Sequence, residues 1–154
     1  MKVSTREKAM DFLNTLLGQS LTYAIKSPDM DLYDFGFGEE IEVKFSKSPP
    51  RKVAPYTVHA LCRFQVIWRN GEKKVARYYE DTPCEIFHSE IKSLIGLKVS
   101  RVALSDKNDL WLDFGDYWVV FATYESDEES WRFFKTYDSA SSHLVASAED
   151  LEFP

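Results

Sequence analysis

Two cysteines in 154 residues, Cys62 and Cys84, are too few to staple a fold. They read as two buried thiols of a reducing cytosol, although their spacing leaves a Cys62–Cys84 disulfide open. No apolar run approaches the length of a membrane span, and the opening "MKVSTREKAM" has no apolar signal-peptide core. The expectation is therefore a cytoplasmic chain that does not enter a membrane. Cations are also in short supply, with 19 Lys and Arg against 25 Asp and Glu. The net charge of −6 argues against nucleic acid and against anionic lipid.

Signatures of chemistry are scarce too. There is no GxSxG elbow, and "SASSHL" (Ser139–Leu144) puts serines beside His143 only in a Ser-rich turn. "DFG" occurs twice, without the glycine loop, strand lysine or catalytic loop that phosphoryl transfer needs. The repeated glycine reads instead as a strand end or bulge where φ is positive. His59 and Cys62, three apart on a strand, point to opposite faces. Cys84 and His88 share a helix face but supply two ligands where zinc needs three or four. The acidic run "ESDEES" (Glu125–Ser130) has nothing to raise one carboxyl above its neighbours. The chain reads as no enzyme, with no cofactor and no metal.

What is abundant is aromatic and apolar side chain, at 15% and 44%, enough for a sizeable core. Much of it is written twice. Shifted by 78 residues, Leu16-Leu17-Gly18 falls on Leu94-Ile95-Gly96, Leu21 on Val99, and Asp31-Leu32-Tyr33 on Asp109-Leu110-Trp111. One more residue of shift brings Asp34-Phe35-Gly36 onto Asp113-Phe114-Gly115. Upstream, Ser4 and Glu7 match Thr82 and Glu85, each pair a capping box. Gly18 and Gly96 stand where a helix needs a left-handed stop. Downstream, Arg63-Phe64 meets Arg132-Phe133 and Glu80-Asp81 meets Glu149-Asp150. The first copy carries about ten extra residues in "FSKSPPRKVAPY" (Phe45–Tyr56), whose Pro, Lys and Arg mark an exposed loop.

The expected organisation is two tandem units, 1–81 and 82–154, sharing one compact domain. Each opens with a helix and continues through about five strands. "LTYAIK" and "KVSRVALS" alternate as half-buried strands do, and "YTVHALCRFQVIW" reads as one long central strand. An Asn-Gly turn leads from it into "KKVARYY". The fold class predicted is α+β, with sheet covered by two helices and a possible pseudo-twofold. Tyr33 and Trp111, at equivalent positions, are expected in the core.

A helix ending in "LIG", then "KVSRVALSDKNDLWLDF" and an "ESWRF" strand, resembles small uncharacterised bacterial domains. Some of these are encoded beside polymorphic toxins and read as immunity proteins. The resemblance covers Pro83–Ser147 directly and the first half by duplication, where Leu61-Cys62 replaces the Ser-Trp pair. It implies a small acidic cytosolic protein that occludes a toxin and needs no catalytic residues.

Charge points the same way. Residues 82–154 carry 6 Lys and Arg against 14 Asp and Glu, a net of −8, while 1–81 carry 13 against 11. Within the acidic half, Asp116, Tyr117 and Trp118 form one candidate cluster, and Asp127, Glu128, Glu129, Trp131 and Arg132 another. Trp, Tyr and Arg dominate interface energetics, and surrounding acids select a basic partner. The expected function is a protein-binding domain of immunity type that meets a basic toxin domain on these residues. The alternatives are a small-molecule pocket between the duplicated halves, and a hydrolase using His143 or the acidic run.

Overall fold

The computed structural model describes residues 4–27, 32–61, 64–68, 75–77, 89–123, 128–138 and 141–153. The chain opens with α1 (Thr5–Leu13), which runs into a 3-10 turn (Asn14–Leu16). The Ser4 hydroxyl accepts from the Glu7 N–H at 3.1 Å, the expected N-cap. Then follow β1 (Leu21–Lys26), β2 (Tyr33–Phe37), β3 (Ile41–Phe45), β4 (Ser48–Val53), β5 (Tyr56–Ala60), β6 (Phe64–Trp68) and β7 (Val75–Arg77). The second half contributes a helical turn at 89–92 and β8 (Arg101–Leu104), β9 (Leu110–Asp113), β10 (Tyr117–Phe121), β11 (Trp131–Lys135), β12 (Leu144–Ala146) and β13 (Leu151–Glu152). The second capping box, Thr82–Glu85, lies outside the described residues, as do Cys62, Cys84 and His88.

The strands form three antiparallel sheets. One has six strands in the order β1-β2-β5-β11-β12-β13, one has five in the order β7-β6-β10-β9-β8, and β3-β4 is a separate hairpin. The two large sheets face each other. Phe35 of the first meets Phe64 and Phe121 of the second edge-on, with centroids 5.0 and 5.1 Å apart. Each such ring, taken fully out of water, contributes about 2–3 kcal/mol.

This architecture overturns the α+β expectation. The protein is mostly β, and its helices are short. The inner faces of the sheets cover each other, so the core is built sheet on sheet, not helix on sheet. Instead α1 lies along one open side of the sandwich, touching β13 at the edge of one sheet and β8 at the edge of the other. Phe12 seals that side, stacked on Phe153 at 4.8 Å and edge-on to Phe133 at 4.6 Å. Arg6 donates to the carbonyls of Leu104 and Ser105, each at 2.9 Å.

Neither large sheet belongs to one half of the chain. The six-stranded sheet takes β1, β2 and β5 from the first half and β11, β12 and β13 from the second; the other takes β8, β9 and β10 from the second and β6 and β7 from the first. The predicted long strand "YTVHALCRFQVIW" is thus two strands. The chain leaves one sheet after Ala60 and enters the other at Phe64.

The halves meet through reciprocal bonds at the spacing of 78. Gly18 N–H donates to Val99 O and Gly96 N–H to Leu21 O, both at 2.8 Å. Leu21 N–H reaches Leu97 O at 2.9 Å, Val99 N–H reaches Gln19 O at 3.0 Å, and Ser20 bridges Lys98 between them. Gly18 and Gly96 have φ of +80° and +93°, which only glycine adopts without strain and which turns the chain out of each helix into this contact.

In the next strands the relation slips by one residue. Ala24 pairs with Phe35, and Val102 pairs with Leu112, so Phe35 corresponds to Leu112 and Tyr33 to Leu110. Trp111 therefore faces outward and is half-buried, whereas Tyr33 is fully buried. The expected core position of Trp111 is corrected on that ground, because a single-residue slip moves a side chain to the other face. The two DFG glycines part company too. Gly115 has φ +95° in a turn, while Gly36 sits inside β2.

Candidate functional site

Inward alternation of Phe35, Val58 and Phe133 sends Asp34, His59 and Arg132 to the outer face of the six-stranded sheet. They stand side by side in register, Asp34 beside His59, His59 beside Arg132, and Arg132 beside Val145. The neighbouring row reads Tyr23, Gly36, Thr57, Phe134. Gly36 is required here by close approach, because a Cβ would lie 2.4 Å from the Tyr23 ring and 2.9 Å from the Ala54 Cβ. Gly36→Ala should therefore displace that ring and cost about 1–2 kcal/mol of stability. Urea denaturation checks this, and an unchanged midpoint would place the ring elsewhere.

Over these rows lies the β3-β4 hairpin. Sequence reading made Phe45–Tyr56 an exposed loop. Residues 46–52 are exposed, but Ala54 is buried, and Ser48–Val53 is a strand that carries two prolines, which a two-stranded hairpin tolerates at its free edge. Arg51, Lys52 and Val53 of β4 roof a cleft of about 420 Å³, with Tyr23, Asp34, Thr57 and His59 on its floor and Phe134 and Thr136 at one wall. Thr57 and Thr136 share a hydroxyl hydrogen bond across β5 and the end of β11.

The floor holds groups away from their ordinary titration ranges. Burial pushes the Asp34 carboxyl up to about 6. Burial, helped by the Arg132 and His143 charges, holds the His59 imidazole down to about 4. Burial and the Asp34 charge push the Tyr23 phenol up to about 12, against a hydrogen bond with Thr57 that pulls it down. His59 Nε2 lies 3.7 Å from Asp34 Oδ1, too far for a hydrogen bond. Asp34 Oδ1 is buried and has no hydrogen-bond partner among the described residues.

Further along the same face, Arg132 Nε donates to Glu129 Oε1 at 2.7 Å and its Nη1 lies 3.0 Å from His143 Nδ1. His143, read as part of a Ser-rich turn, stacks on Phe134 with centroids 4.2 Å apart. Burial and Arg132 lower its pKa, opposed by Glu129. Beyond this group lies a second cleft of about 490 Å³, lined by Glu129, Val145, Ser147, Glu149, Asp150 and Glu152.

The predicted partner-binding residues are not one surface. Trp131 is 0% exposed, and its Nε1 donates to the Asn108 carbonyl at 2.9 Å, so it is a core residue and meets no partner. Trp118 lies on the outer face of the five-stranded sheet, edge-on to Trp111 at 5.8 Å with the Arg101 guanidinium over it. Arg132 and Glu129 lie on the outer face of the other sheet, on the far side of the sandwich. Tyr117 packs against the core margin, while Asp116 and Glu128 are exposed. Asp127 lies outside the described residues. Tyr23, Asp34 and Thr57 were missed, and His59 was weighed only against Cys62. The available signal was a lone acid in the apolar strand "LYDFGF".

Among the described residues no group of three or more His, Cys, Asp or Glu is placed to hold a metal ion, and no helix is long and apolar enough to cross a membrane. Comparison with protein-family models, curated proteins and solved structures gave no match.

Proposed function

We propose that the protein is a non-catalytic protein-binding domain whose acidic cleft takes a basic segment of a partner. The observation that carries this reading is the second cleft. Four carboxylates, from Glu129, Glu149, Asp150 and Glu152, line it, and none of its described lining residues is a cation. Glu149, Asp150 and Glu152 are exposed. They belong to the half of the chain with a net charge of −8. Such a field speeds encounter with a basic partner and disfavours acidic ones. A basic toxin domain, blocked by occlusion in the cytoplasm, is the partner that the resemblance to immunity proteins suggests.

The test is an anisotropy titration with a fluorescent oligolysine peptide, repeated over a range of salt. Binding should weaken as salt rises. The double substitution Glu149→Lys and Glu152→Lys should raise Kd by at least about tenfold. A double variant that binds as wild type does would sink this reading.

A further inference from the structure

The hairpin-roofed cleft has a different chemistry from the acidic one. Its floor offers the Asp34 carboxylate, whose Oδ1 is out of water yet lacks a hydrogen-bond partner among the described residues. A carboxylate with one oxygen enclosed and left without a donor is costly to ionise, and a ligand ammonium against its open side would favour the charged form with a charge-assisted contact. A simple amine does not suit the rest of the site, since the roof supplies Arg51 and Lys52. Those cations match an anionic group at the other end of the same molecule. Phe134 at the wall and Tyr23 on the floor provide aromatic surface. The volume, about 420 Å³, lies in the range of small-ligand pockets. The walls come from both halves of the chain, with Phe134 and Thr136 from the second and the remainder from the first.

We propose that the cleft between the β3-β4 hairpin and the outer face of the six-stranded sheet binds a small zwitterion of the α-amino-acid class. The ammonium sits against the open side of the Asp34 carboxylate, whose side chain is 26% exposed, and the ligand's carboxylate points to Arg51 and Lys52. The ligand's side chain lies against Phe134. His59, kept neutral by burial, borders the ammonium without repelling it. The hairpin that completes the site overlaps the stretch where the first half carries its extra residues, and among the described residues the second half has no counterpart to it.

Isothermal titration of the intact protein at neutral pH with each standard L-α-amino acid tests the proposal, with acetate and ethylamine as single-charge controls. At least one amino acid should bind, and each control should bind at least about tenfold more weakly. Asp34→Asn keeps the shape and removes the charge, and should weaken that amino acid by at least about tenfold. Replacing Arg51 and Lys52 together by Gln should weaken it as well. Affinity should fall as pH drops below about 6, where the Asp34 carboxyl takes up a proton. The proposal is overturned if no amino acid binds, if Asp34→Asn binds as wild type does, or if a control matches the amino acid. Asp34→Asn should leave the oligolysine titration unchanged, so failure of this site and failure of the acidic cleft are read separately.

Discussion

Trp131→Ala is expected to lower the unfolding free energy by about 3–5 kcal/mol, the range for truncating a fully buried aromatic side chain. Trp131 is 0% exposed, and on β11 it pairs with Ala60 of β5 and Ala146 of β12. Two small neighbours leave room for one large ring, and they cannot fill the space if it is removed. The hydrogen bond adds to the loss. Trp131 Nε1 donates to the carbonyl of Asn108, a buried residue with φ +68° whose side chain donates to Ser147 O at 2.9 Å. Truncation strips a partner from a turn that ties β8-β9 to the β12-β13 connection. Against a typical total of about 5–15 kcal/mol, such a loss is a large fraction of the fold's stability. Urea denaturation monitored by far-UV circular dichroism measures it. Trp118→Ala is the control, because Trp118 is half-buried on an outer face and its truncation should cost about 1–2 kcal/mol. Equal losses in the two variants would refute the placement of Trp131 in the core.

The contrast between these two tryptophans shows where sequence reasoning reached and where it stopped. Local rules worked well near the repeat's start. Ser4 caps α1, Gly18 and Gly96 stop their helices, and "LTYAIK" is β1 from end to end. These depend on residues within a turn of each other. The errors came from relations that no local rule contains. Aligning Asp-Leu-Tyr with Asp-Leu-Trp by identity put Trp111 in the core, yet strand register sets the true correspondence one residue away. Residues 56–68 are long and apolar enough to read as one central strand, but the chain changes sheets within them, and only the partner strands reveal that. Trp131 and Arg132 are adjacent in sequence and therefore face opposite ways, one into the core and one outward. Asp34 was passed over for a similar reason. A lone acid on an outward strand position reads as solvated. It is only partly exposed here, at the floor of a cleft that β4, read as a loop, helps to line.

Asp34→Asn is expected to stabilise the protein by about 2 kcal/mol at neutral pH, the opposite of what most substitutions do. The folded chain holds this carboxyl at about 6 against an ordinary 3.8, so keeping it ionised costs up to about 3 kcal/mol before allowance for its partial exposure. A group raised in this way gives most stability below 3.8 and loses it as pH climbs to about 6. His59 works in the other direction. Its folded value of about 4 lies below the ordinary 6.5, so its contribution is complete above 6.5 and disappears as pH falls to about 4. The two slopes oppose each other over nearly the same window, and in the wild type they largely cancel. Each single variant should uncover the other group. Asp34→Asn should grow more stable relative to wild type as pH rises between 4 and 6, and His59→Gln should grow less stable over that interval. Urea denaturation at a series of pH values reads both. An Asp34→Asn variant no more stable than wild type at neutral pH, or a pH dependence parallel to wild type, would show that the carboxyl is not held out of water. A zwitterion in the cleft sets its ammonium against the open side of the carboxylate and favours the ionised form, so its presence should shrink the stability gap between Asp34→Asn and wild type. The cost of holding Asp34 ionised then becomes part of what selects a cationic group at this cleft.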